Sequence, residues 1–221
     1  MSNKDEILKL LEQCSSEERR EIFNHLRKEF PIHPLEANLN TQAEVILEAM
    51  ARSSDLTMRG IRGIIAEAAF LVDILQKMEG WKTIEIAGDA SYDFLIADVV
   101  GQISIQVKMQ RREKGIPLVR AGKFVVETQR TRSGKDATGG ATRPYRFGDF
   151  DILAVSLHPS TNDWTRFMYT VASWLRPRAS DTKQLEVFQP IPEQANEDWT
   201  DDLGTCIDWF RSGKRRTIES F

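Results

Sequence analysis

Residues 91–108, SYDFLIADVVGQISIQVK, constrain the fold of this chain more than any other stretch. Two apolar runs flank Val99–Val100, and each has the length and composition of a strand. A turn centred on that pair makes an antiparallel hairpin in which the numbers of facing residues sum to about 199. Asp93 then lies opposite Gln106, and Lys108 shares the face of Gln106 because side chains alternate along a strand. Phe94, Ile96, Ile105 and Val107 point the other way, into a core. Leu95 and Ile103 are expected to keep the polar face partly apolar. Asp98 has the opposite parity and belongs near the turn. A carboxylate, an amide and an ammonium gathered on a surface that is otherwise apolar are costly to desolvate, which makes them candidates for a site.

The helix ahead of this hairpin supplies a fourth polar group. LTMRGIRGIIAEAAFLVDILQKM is predicted as one long helix opened by Ser54 or Asp55 and closed by Gly80. At 100° per residue, Glu67 shares a face with Gly60 and Gly63 on one side and with Leu71 and Ile74 on the other. Each helical glycine costs about 1 kcal/mol relative to alanine. That cost is tolerable where a backbone or a phosphate must come close. Arg59 and Arg62 flank this surface.

Around these elements the chain reads as helices at 4–13, 17–30 and 41–52, with Ser16 opening the second and Pro31 ending it. PIHPLEANLN reads as a linker. Further strands are expected at 81–87, 123–130 and 150–158, the last apolar enough to be central. Residues 166–175 mix strand and helix signals, and DDLGTCIDWFRSG reads as an amphipathic helix with a glycine stop. A helix, three consecutive strands, a connection and another strand make an α/β (α+β) layer arrangement. Residues 1–50 form an N-terminal helical region, and residues 51–221 form the core.

Charge is unevenly distributed. Between Lys108 and Arg146 there are eleven basic and three acidic residues, a net of +8, which leaves −11 on the remainder of a chain whose total is −3. A connected basic stretch is the footprint expected for a polyanion. No apolar run is long enough for a membrane span, and the N-terminus lacks the apolar centre of a signal peptide. Cys14 and Cys206 fit a reducing cytoplasm better than a disulfide framework. The three histidines, His25, His33 and His158, have no zinc spacing.

Glu67 on a helix, Asp93 opening a strand, and Gln106-Val107-Lys108 on the next strand resemble the PD-(D/E)xK nuclease superfamily over about residues 55–158. Asp93 matches the motif's aspartate, Gln106 its (D/E) position and Lys108 its lysine. Glu67 matches the helix glutamate that many members carry. Tyr92 replaces the motif's proline. Gln106 replaces the acid, as in the QxK variants of Mrr-like nucleases. The resemblance implies an αβββαβ core with a mixed sheet flanked by helices, and a Mg²⁺-dependent phosphodiesterase acting on double-stranded DNA. With the basic stretch at 126–155, VETQRTRSGKDATGGATRPYRFGDFDILAV, it further suggests a type II restriction endonuclease.

That assignment gives each residue an expected role. Asp93 is the main ligand of Mg²⁺, Gln106 offers a neutral amide oxygen, and Glu67 holds a water of the ion's shell. Lys108 orients the attacking water or neutralises the phosphate. Arg143 and Arg146, with Tyr145 between them, are expected to read DNA together with Gln129. Arg130, Arg132 and Lys135 are expected at phosphates, along with Arg59 and Arg62. One active site per chain and two strands to cut imply a twofold homodimer. Two other readings stay open. One is a structure-specific or repair nuclease on the same core. The other is a DNA-binding protein whose site has decayed at Gln106.

Overall fold

The computed structural model describes residues 2–30, 33–88, 90–129 and 144–221. The chain divides into two compact units, Met1–Arg59 and Gly60–Phe221.

The first unit is helical, with α1 (Asn3–Gln13), α2 (Ser16–Glu29), α3 (Leu35–Leu39), α4 (Ala43–Ala51) and the start of α5 (Asp55–Ala69). Both leading helices open with a capping box, Ser2 with Asp5 and Ser15 with Glu18. Ser15 rather than Ser16 caps α2, because only Ser15 has a glutamate three residues on to return the hydrogen bond. The expected linker at 31–40 contains α3, which Asn40 ends in a left-handed conformation. Glu36 organises this corner. Its carboxylate accepts from Arg27 at 2.7 Å and from the Ala43 N–H at 2.7 Å, and Arg27 also reaches Glu44 at 2.8 Å. Ile7, Leu10, Phe23 and Phe30 are each more than half exposed.

The second unit is built on strands. After α5 come a π turn (Phe70–Ile74) and a 3-10 turn (Leu75–Lys77), so the long helix is regular only to Ala69. The strands are β1 (Lys82–Ile84), β2 (Phe94–Ala97), β3 (Gln102–Met109), β4 (Arg112–Glu113), β5 (Ile116–Pro117), β6 (Val119–Arg120), β7 (Lys123–Glu127), β8 (Ile152–Ser156), β9 (Phe167–Val171), β10 (Pro177–Arg178), β11 (Asp181–Leu185) and β12 (Phe188–Ile191). A short helix α6 (His158–Thr161) joins β8 to β9, and α7 (Leu203–Arg211) follows β12.

The main sheet has the order β1-β2-β3-β8-β9, antiparallel throughout except for the parallel pair β3–β8. The sheet is therefore mixed, and its fold is α/β. Every residue of β8 is buried, as expected of a central, apolar strand, and so is every residue of β9 at the sheet's edge. Facing β2 and β3 residues sum to 199, with Phe94 opposite Ile105. Ile103 faces Ile96, so it belongs to the core side with Ile105, and Ser104 rather than Ile103 stands beside Leu95. The turn is held by Asp98, whose carboxylate accepts from the N–H groups of Val100 and Gly101. Arg211 of α7 clasps the same carboxylate at 2.6 and 2.9 Å and holds it down to a pKa of about 2. On the core side, Phe70 packs against Phe94, Phe167 and Tyr169.

The described part of the connection from β3 to β8 contains strands rather than a crossover helix. β4 and β5 form a hairpin, and β7 pairs with β6 and β12 in a second, three-stranded sheet. The predicted strand at 123–130 is thus real to Glu127 but lies outside the main sheet.

Candidate active site

Asp93 sits one residue before β2, opposite Gln106 of β3, as the hairpin register requires. Its carboxylate accepts from the Val107 N–H at 2.8 Å and from the Gln106 side-chain amide. Gln106 is 2% exposed, and its amide oxygen accepts from the Tyr145 hydroxyl at 3.1 Å. The Lys108 ammonium lies 5.3 Å from the centroid of the Tyr145 ring. A single face therefore carries Asp93, Gln106, Lys108 and, beneath them, Tyr145.

Glu67 reaches the same place from α5. Burial pushes its carboxyl up to about 7, the Asp93 carboxylate adds to the rise, and Lys108 opposes it. Asp93 is also raised, again by burial, against the pull of Lys108 and of its two hydrogen-bond donors. Two half-buried acids and one ammonium thus form one electrostatic unit, in which negative charge is held at a cost. The helix surface next to Glu67 is open. A side chain added at Gly60 or Gly63 would meet no described atom within 4 Å.

The site offers two carboxylates and one amide oxygen, hard oxygens that could hold a cation such as Mg²⁺. Among the described residues no three His, Cys, Asp or Glu side chains gather at one point, and the Gln106 amide oxygen is a neutral donor beside the two carboxylates. As oriented, Gln106 points its nitrogen at Asp93 and its oxygen at Tyr145. The amide can turn over without losing Tyr145, because a phenol both donates and accepts. A cation beside Asp93 would favour that reversal.

The loop after the basic stretch is pinned beside the site. Asp151 accepts from the Ser104 N–H at 2.8 Å and from the Ser104 hydroxyl at 2.7 Å, and Ser91 donates to the Asp149 carbonyl at 2.6 Å. These bonds place Tyr145. Expected at DNA, Tyr145 is instead 4% exposed, with its ring edge-on to Phe150. Its hydroxyl and its ring face Gln106 and Lys108. A hydroxyl 39 residues distant from Gln106 in sequence leaves no local pattern to find it by.

The other expected DNA contacts are divided. Arg62 is half-buried and Arg59 is exposed in the first unit. Gln129 bridges to Pro144, and Arg146 is exposed with its backbone N–H donated to Asp149. Arg130, Arg132, Lys135 and Arg143 lie outside the described residues. Some of the basic stretch is spent internally. Arg111 pairs with Glu127, Arg120 stacks on Phe188 and Phe221, and Lys123 donates to the Ser220 carbonyl. In the C-terminal tail, Arg216 pairs with Glu197 and Asp198. Cys14 and Cys206 are both free thiols, and among the described residues no helix is long and apolar enough to cross a membrane.

No family model matches this chain, and no curated protein matches it. Among solved structures it is similar to a bacterial homing endonuclease, I-Ssp6803I, at 23% identity and a TM-score of 0.40, over 63% of this chain and 81% of that one. A likeness of that size is too small to carry an activity across.

Proposed function

We propose that this protein is a Mg²⁺-dependent endonuclease that cuts double-stranded DNA at specific sites, in the manner of a type II restriction enzyme. The observation that carries the reading is the convergence of Glu67, Asp93, Gln106 and Lys108 from one helix and two strands, with both acids raised by burial. A structural salt bridge needs one acid and one base at a surface. This site places two acids and an amide around one lysine, and it raises both acids instead of relaxing them.

Bound there, Mg²⁺ would supply Lewis-acid polarisation of the phosphate and a lowered pKa for the attacking water. Asp93 and Glu67 would hold the ion, with the Gln106 amide oxygen as the neutral third ligand. Lys108 presents its ammonium to the water or to a non-bridging phosphate oxygen. Steadied on the Tyr145 ring, it keeps a defined position. Water attacks phosphorus, the bond to the leaving oxygen breaks, and the chain's residues neutralise the charge that develops. Arg143 and Arg146 would read base edges, and Arg130, Arg132 and Lys135 would hold phosphates. A homodimer would present two such sites to the two strands.

A second reading has one observation in its favour. Gln106 is fully hydrogen-bonded to Asp93 and Tyr145, and among the described residues only two carboxylates are at hand, which suits a binding protein that no longer cuts. Incubation of plasmid DNA with the protein and Mg²⁺ separates the readings. Discrete bands are expected. A smear, or cutting confined to branched substrates, supports the structure-specific nuclease, and intact plasmid supports the binding protein.

A further inference from the structure

The C-terminal ends of β3 and β8 lie side by side, with Met109 opposite Ser156. Just beyond them, β3 runs into the Arg112–Pro117 hairpin and β8 into His158 at the start of α6. The return strand of the hairpin, β5, lies against α6. This corner is therefore adjacent to Lys108, which is one residue before Met109.

His158 is held firmly here. Its imidazole stacks on the Trp164 indole with ring centroids 3.7 Å apart and planes within 14°, and its backbone N–H donates to the Ser156 hydroxyl. Two guanidiniums bear on the imidazole, Arg112 from the hairpin and Arg62 from α5. The one acid that bears on it, Asp163, already accepts from the N–H and the hydroxyl of Thr165 at 2.8 and 2.7 Å. The Arg112 Nε is buried with no hydrogen-bond partner. A buried N–H of a cation is costly to leave unmet, and an anion is its natural complement. Two guanidiniums drawn from two elements, an orphan donor on one of them and the imidazole of a third element form an anion site rather than a solvated face.

We propose that Arg62, Arg112 and His158 form a phosphate subsite that grips a backbone phosphate of DNA next to the one being cut. The proposal rests on the nuclease reading and adds to it residues with no part in the metal cluster. Burial and the two arginines hold His158 below the ordinary histidine range, so near neutral pH it offers an N–H and not a charge. The arginines then carry the electrostatic attraction, and His158 fixes the orientation.

The test uses the full chain, a random-sequence duplex and Ca²⁺ in place of Mg²⁺. Duplex affinity is measured at several salt concentrations for the wild type, Arg62→Met, Arg112→Met and His158→Ala. Each arginine variant should lower the salt slope by about 0.9, while His158→Ala weakens binding at an unchanged slope. In parallel, the ring resonances of the three histidines are followed by NMR as duplex or inorganic phosphate is added. The His158 signal, assigned by its loss in His158→Ala, should shift with the duplex. Wild-type slope and affinity in both arginine variants would overturn the subsite and leave the nuclease reading to Asp93→Ala. If the wild type binds no duplex but phosphate moves the His158 signal, the DNA assignment falls together with the nuclease reading. No shift with either probe removes the anion site itself.

Discussion

Asp93 and Gln106 face each other across the β2–β3 hairpin, and the Gln106 amide is donated to the Asp93 carboxylate. The backbone N–H of Val107 adds a second donor to the same carboxylate. Burial outweighs both donors and Lys108, so Asp93 still rises above its usual range. Its partner Glu67 rises further, to about 7. The pair is poised to take up positive charge, as a proton or as a cation.

Removal of the charged members should stop the chemistry without removing the DNA. Asp93→Ala and Lys108→Ala are expected to abolish cleavage of plasmid in Mg²⁺. Duplex binding in Ca²⁺ should stay within about tenfold, because one phosphate contact among many is lost at most. Cutting at the wild-type rate by either variant would take the site elsewhere.

Gln106→Glu supplies a third carboxylate where the ligand set has a neutral amide. The Mg²⁺ concentration for half-maximal cutting should fall, while the rate can move either way because the added charge also repels the phosphate. An unchanged Mg²⁺ requirement would show that Gln106 does not touch the ion.

Tyr145→Phe keeps the ring under Lys108 and against Phe150 but deletes the donor to Gln106. The amide oxygen is then buried without that partner, and unfolding in urea should show a loss of about 1–2 kcal/mol. No loss would mean that water replaces the hydroxyl, which would make the floor of the site wetter than its burial suggests.

Glu67 also predicts a pH dependence of stability. Its pKa is raised from 4.5 in the unfolded chain to about 7 in the folded one, so the folded state holds the proton more tightly between those values. In the presence of EDTA, stability should therefore fall as pH rises from about 4.5 to about 7, and Asp93 acts in the same direction. Urea midpoints at pH 5 and pH 8 measure the drop. Glu67→Gln should reduce it, and Mg²⁺ should restore stability at pH 8. A drop of equal size in Glu67→Gln would place its origin in other groups.

Association is the last expectation. Ile7, Leu10, Phe23 and Phe30 on the N-terminal helices are more than half exposed, and a twofold homodimer would cover such residues. Sedimentation should give twice the chain mass, falling to one on Phe23→Ser with Leu10→Ser. A monomer both free and on DNA would leave each chain to cut one strand at a time.

Much of the hairpin was legible because its determinants are local. Alternation along two short runs and a turn between them are enough to give a register, and the sum of 199 emerges from Val99–Val100 alone. Glu67 was legible as a polar residue interrupting an apolar helix stripe. The break after Ala69 was not, because the π turn at Phe70–Ile74 satisfies no local pattern and is stabilised by Phe70 packing on three rings from other strands. Ile103 shares the parity of Ile105 and so faces the core opposite Ile96, which the same alternation dictates.

The sequence by itself determined which residues could face each other within the hairpin, since strand period and turn position depend only on neighbours in the chain. Only the tertiary structure decided what surrounds them. Tyr145 reaches Gln106 because Asp151 is bonded to Ser104 and Asp149 to Ser91, pairings that span 47 and 58 residues. Arg112 and His158 come to one corner because parallel pairing sets the ends of β3 and β8, which lead into them, side by side. Contacts over such separations arise when several elements pack at once, so no window of the sequence contains them.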